Sequence, residues 1–192
     1  MLEFTQLQNH EITMGEFTDG LSSTDLRTFT ENLYAHILDL IVGLEDSDVI
    51  FQPIDPGAYD PYAENPEEVQ IGWTLGHVIV HLTASNEEAA FLAAELARGV
   101  PHHGRSRYEV PWQSITTAEQ VFQRIAESRR MCLASLDMWP DTPHLENSYR
   151  TREKSPLINP LSRFVYGIKH ADEHLEQIAE IMHQARAARA GN

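Results

Sequence analysis

Residues 159–188, NPLSRFVYGIKHADEHLEQIAEIMHQARAA, decide the fold. Asn159 supplies a side-chain cap, and Pro160 suits the first helical position, where its missing N–H is not needed. From there Leu161, Phe164, Ile168, Ala171, Leu175, Ile178 and Met182 recur at alternating steps of three and four. That period puts them on one stripe of a helix, whereas a strand would alternate by two. The spacing predicts one continuous helix from Pro160 to about Ala188, with the apolar seam of a bundle helix.

Working outward, three more helices carry the same signature. Trp73 to Arg98, stopped by Gly99 and Pro101, has a stripe of Leu75, Val78, Leu82, Ala89, Leu92 and Leu96. Thr116 and Glu119 suggest a capping box for a third, with Val121, Phe122, Ile125, Cys132 and Leu136 as its apolar face. A first helix starts at Ser22 or Ser23 and carries Leu26, Phe29, Leu33, Ile37, Leu40 and Leu44. Four amphipathic helices in one chain predict an all-α four-helix bundle with long connecting loops. The bundle domain is assigned to residues 22–192, and residues 1–21, which show no sustained pattern, are an N-terminal arm.

Between about Glu45 and Gly72 stand Pro53, Pro56, Gly57, Pro61 and Pro66, too many breakers for a helix. A loop that long inside a compact domain is a candidate wall or lid over a site. A second breaker-rich stretch joins Pro140 to Pro160. There is no Gly-rich phosphate loop, no internal repeat and no convincing alternating run.

Composition narrows the function classes. Asp and Glu number 29 against 14 Lys and Arg, a formal charge of -15 that repels phosphate backbones, so nucleic acid is not an expected partner. The single cysteine, Cys132, removes thiolate-rich metal sites, leaving nitrogen and oxygen as the ligands for any ion. No apolar run reaches spanning length and no signal peptide is recognisable, so a cytoplasmic protein without membrane contact is expected.

Ten histidines are present, and four form two pairs at helical spacing: His77 with His81, and His170 with His174. Chance alone gives roughly 0.5 such pairs in a chain of this composition. Residues four apart share a helix face, so each pair could serve one ion. Both pairs also border their buried stripes, since His77 and His81 precede Val78 and Leu82, and His170 and His174 precede Ala171 and Leu175. Buried neutral histidines bonded to backbone or water are the plainer alternative. Two pairs favour a divalent ion such as zinc, nickel or iron, with three histidines giving an open site and four a closed one.

Two segments carry a family resemblance. Gly72-Trp-Thr-Leu-Gly-His77-Val-Ile-Val-His81-Leu82 resembles the opening of the second helix of the DinB-like superfamily, also known as YfiT-like metal-dependent hydrolases. His170-Ala-Asp-Glu-His174-Leu-Glu-Gln177 resembles that family's HxxxHxxQ signature in its last long helix. The resemblance implies a bacterial helical bundle with His81, His170 and His174 as metal ligands, and His77 as an optional extra. It further implies hydrolysis, or transfer using a low-molecular-weight thiol of the bacillithiol or mycothiol kind, on a small-molecule substrate. Relatives are often homodimers, and the seam of the last helix fits one. A noncatalytic bundle binding a metal or small ligand, with a stress-related or structural role, is the rival from another class.

Supporting roles are open to Glu87, Glu88, Asp172 and Glu173, near the ligands in sequence. Glu88, seven residues beyond His81 on a similar face, is the candidate general acid or base. His36 reads as a structural histidine, His102 and His103 as solvated loop residues, Trp73 as a packing anchor and Cys132 as an inert core thiol.

Overall fold

The computed structural model describes residues 4–61, 63, 65–105 and 109–191. Among these the chain is all-α, with a single isolated bridge between Tyr149 and Ile158. The elements run α1 (Thr5–Gln8), α2 (Met14–Thr18), α3 (Ser23–Leu40), α4 (Asp46–Val49), α5 (Leu75–Ala97), α6 (Ala118–Leu136), α7 (Pro160–Asp172) and α8 (Leu175–Ala190). None is long and apolar enough to cross a membrane.

The helix starts follow capping chemistry. Ser22 accepts from the Asp25 amide while the Asp25 carboxylate accepts from Ser22, a closed capping box at α3. Thr74 caps α5 by accepting from the His77 amide, so this helix begins after Trp73 rather than at it. Thr117 caps α6 with Gln120 as its box partner, one residue later than the expected Thr116 and Glu119. Gln120 Oε1 also accepts from the Thr116 amide at 2.8 Å, which favours that register.

Helix α5 packs against α6 and α7, and α3 packs against the same two, closing a ring around a common core. Leu26, Ile37, Leu75, Ile79, Leu82, Ile125, Ile178 and Met182 are fully buried there. A polar cluster crosses the core: Tyr34 Oη lies 2.7 Å from Ser128 Oγ, whose hydroxyl donates to the Thr83 carbonyl at 3.3 Å. Cys132, 3.7 Å from Tyr34 Oη, is buried among these residues.

Three expectations are revised. The arm is not irregular, because α1 and α2 sink Phe4, Leu7 and Met14 into the core and Thr18 Oγ1 meets Ser162 Oγ of α7 at 3.0 Å. The long loop holds α4 and a 3-10 turn at Pro66–Glu68. The last helix is interrupted at Glu173 and His174, where the His174 amide donates to Ala171 three residues back, tightening the turn before α8 resumes.

Glu87 is also displaced from any supporting role in a site. Its side chain is 1% exposed and pairs with Arg124 of α6 at 2.6 Å. Removing one partner leaves a buried charge uncompensated, so Arg124→Ala should cost about 3–5 kcal/mol in chemical denaturation. A second sensitive point is Gly167, where an added Cβ would stand 2.5 Å from the Ala89 Cβ on α5. The helix-propensity gain of about 1 kcal/mol from Gly167→Ala is outweighed by overpacking. The denaturation midpoint should fall by an amount equivalent to about 1–2 kcal/mol.

Candidate metal centre

His81 sits in the second turn of α5, facing the junction of α7 and α8, where His170 and His174 lie either side of the tightened turn. One ring nitrogen from each of the three falls within 4.8 Å of the others, the sole such group of His, Cys, Asp or Glu among the described residues. His81 Nε2 and His170 Nε2 face each other at 2.8 Å. The rings stand edge to face, with centroids 4.9 to 5.2 Å apart.

The surroundings fit a cation. Burial, reinforced by the neighbouring imidazoles and Arg105, pushes His81 from the ordinary 6.5 down to about 3. Burial likewise lowers His170. Both are therefore neutral near pH 7, with lone pairs available, as metal ligation requires. His174 Nδ1–H donates to Gln177 Oε1 at 2.8 Å, leaving Nε2 as its acceptor nitrogen. On the outer side of His81, Nδ1 lies 3.7 Å from the Glu109 carboxylate, close enough for electrostatic attraction but longer than a hydrogen bond. Nitrogens around a tetrahedral ion, bound at about 2.0–2.1 Å, stand about 3.4 Å apart, which the observed spread accommodates.

His77 is placed elsewhere. Its ring is stacked between Trp73, with centroids 4.2 Å apart, and Trp112 at 4.6 Å and 2° between planes. Burial lowers it to about 4. It is not among the three convergent nitrogens, so in this structure the optional fourth ligand is held in an aromatic stack instead.

The carboxylate candidates separate in the same way. Glu88 is mostly buried and lies 3.4 Å from Arg105 Nε, and Arg105 Nη2 in turn lies 3.6 Å from Glu109. Glu88 is thus linked to the neighbourhood of His81 through Arg105 and Glu109. Glu173 pairs with Lys169 at the surface. Asp172 is half-buried near His36, and burial raises its carboxyl above the ordinary value. His102 stacks on Tyr149, and His103 meets Glu95 at 2.9 Å, so neither reaches the centre. Glu109, Arg105 and Trp112 went unread in the sequence, because they come from a loop without periodicity and only tertiary folding brings them to His81 and His77.

A cleft of about 590 Å³ opens beside His174. The loop at residues 53–59 forms one wall and α8 the other, with Trp73 and Ile71 between them. Gln184 joins the walls by accepting from the Ile54 amide at 2.9 Å and donating to the Ile54 carbonyl at 3.0 Å. Its volume is that of a small-molecule site.

The fold and the centre define an all-α protein with an interhelical three-histidine site that could hold a metal ion. The family model described as the DinB superfamily matches residues 30–178, and the chain belongs to that family. Searches of curated proteins and of solved structures find no match.

The depressed histidines predict a pH dependence of the metal-free protein. His81 and His77 bind protons less readily folded, at about 3 and about 4, than unfolded at 6.5. Stability from their neutral state is complete above about pH 7 and is lost as pH falls through the window from 6.5 towards 4. Denaturation in chelator should show that decline, and His81→Gln should flatten it.

Proposed function

We propose that the protein is a metal-dependent enzyme acting on a small molecule, with His81, His170 and His174 holding one divalent ion, zinc, nickel or iron. The observation that carries this reading is the convergence of three imidazole nitrogens from α5 and the α7–α8 junction, next to a cleft that His174 itself lines. Three protein ligands leave a coordination position open for chemistry.

A bound divalent ion supplies Lewis-acid activation of water, of a thiol or of a carbonyl oxygen. The chain's own residues do the rest. Gln177 fixes the orientation of His174, so that its acceptor nitrogen faces inward, and Glu109 attracts the outer edge of His81. Trp73, Ile71 and the 53–59 loop exclude water from one side of a bound substrate. Hydrolysis and thiol-dependent transfer use the same open position, and a low-molecular-weight thiol would be the second substrate in the transfer case.

A noncatalytic ion is the second reading, and one observation favours it: the ligands bridge α5 to the α7–α8 junction, so an ion would also staple those helices. The adjoining cleft favours catalysis, since a staple needs no cavity.

Elemental analysis of tag-free protein should find about one zinc, nickel or iron per chain after loading. His81→Ala, His170→Ala and His174→Ala should each lose it, with a 10- to 100-fold weaker affinity expected for Glu109→Ala, on the order of other outer-shell losses. Absence of metal after loading would sink the reading. Metal-dependent stability, with no turnover of esters, amides or thiol adducts by any loaded form, would select the staple.

A further inference from the structure

The cleft beside His174 combines apolar walls with one sign of charge. Pro53, Ile54, Ile71, Trp73 and Ile181 give it an apolar body, and Asp55, Glu173 and Glu180 place carboxylates on it. No Lys or Arg is among its described lining residues. Glu173 is neutralised by Lys169, one turn away. Asp55 and Glu180 make no ion pair with Lys or Arg among the described residues. Asp55 accepts from the Gly57 amide at 2.9 Å, and Glu180 accepts from Gln184 Nε2 at 2.8 Å and lies 3.9 Å from Nδ1 of the exposed His183.

The two carboxylates stand on the two walls that Gln184 joins, Asp55 directly after Ile54 and Glu180 one turn before Gln184. Along α8 the residues facing the cleft are His174, Gln177, Ile181, Glu180 and Gln184. Glu180 follows His174 by six positions, which at 1.5 Å per residue is about 9 Å along the helix.

We propose that the cleft takes an elongated, mainly apolar ligand bearing a positively charged amine, held by Asp55 and Glu180 about 9 Å from the end that reaches His174. The cleft is defined by its walls and by His174, and the carboxylates set which charge it accepts. Anionic ligands, including carboxylate-rich thiols and phosphorylated molecules, are rejected by the same groups and by the chain's formal charge of -15. The exposed ring of Tyr59 adds a cation–π surface at the mouth. Only the chemistry at the His174 end rests on the metal-enzyme reading, because the charge preference of the cleft needs no ion.

The test is calorimetric titration of the full chain at low salt with three probes of one shape: 4-phenylbutylamine, 4-phenylbutanol and 4-phenylbutyrate. Each is measured on zinc-loaded and on chelator-treated protein. The amine should bind about tenfold tighter than the alcohol, as expected for two carboxylates in a water-like dielectric, and the butyrate more weakly than either. Asp55→Asn combined with Glu180→Gln should bring amine and alcohol within about twofold while alcohol binding persists, as loss of the Coulomb contribution requires. Equal affinity for amine and butyrate, tighter butyrate, or no binding of any probe at millimolar concentration would overturn the proposal. Zinc uptake without an amine preference refutes this inference alone, and an amine preference without zinc uptake refutes the metal reading alone.

Discussion

Helices α5 and α7 approach so closely that no side chain stands between them at Gly167, where a Cβ would meet Ala89 at 2.5 Å and Asn86 Oδ1 at 3.1 Å. The rest of the centre depends on this contact. His170 follows Gly167 by one turn, and His81 precedes Asn86 by little more than one, so the two rings meet across the same seam at 2.8 Å. The small buried residues Ala89, Ala90, Ala93, Ala94 and Ala97 give α5 little apolar area per residue but allow close approach. The larger burial comes from Leu75, Ile79 and Leu82 elsewhere on α5 and from Leu26, Ile37, Ile125 and Met182 on the surrounding helices, at about 25 cal/mol for each Å² of apolar surface removed from water.

Bringing three imidazoles together has an electrostatic consequence. A proton on one raises the cost of a proton on the next, and partial burial adds a desolvation penalty to both. The folded chain therefore favours neutral His81 and His170, the state a cation needs and the state acid removes. Glu109 and Gln177 stand outside the cluster. Gln177 Oε1 accepts from His174 Nδ1–H at 2.8 Å, and the Glu109 carboxylate stands 3.7 Å from His81 Nδ1. The tightened turn at His174 belongs to this arrangement, since it lies between two ligands that an unbroken helix would hold at fixed pitch.

Much of this was legible from spacing alone. The four long helical segments and most of their apolar stripes follow from period 3.6 and from cap residues whose interactions are local, whereas the family resemblance rather than the spacing singled out His81 from His77. What escaped was set by contacts distant in sequence. The interruption at Glu173 and His174 has no Pro or Gly to announce it. Phe4, Leu7 and Met14 each bury at isolated points without a repeating stripe. In that arm the only local signal was Thr13 three residues before Glu16, a capping box that the structure closes. Glu87 reads like its neighbour Glu88, yet Arg124, from another helix, makes one a buried pair and leaves the other at the edge of the centre.

His77 shows how tertiary contacts can redirect a residue that local spacing equips for ligation. One turn before His81 and on the same face, it has the reach for a fourth nitrogen. Trp73 and Trp112 instead occupy both faces of its ring, each contact of a kind worth about 0.5–1.5 kcal/mol beyond area burial. In the proposed reading this sandwich keeps the coordination number at three. It also stiffens Trp73, which lines the cleft beside His174 at 5.9 Å between ring centroids. In that reading a single stack would separate the fourth histidine from the ion and build the wall against which a substrate would lie, tying an open coordination position to the shape of the pocket.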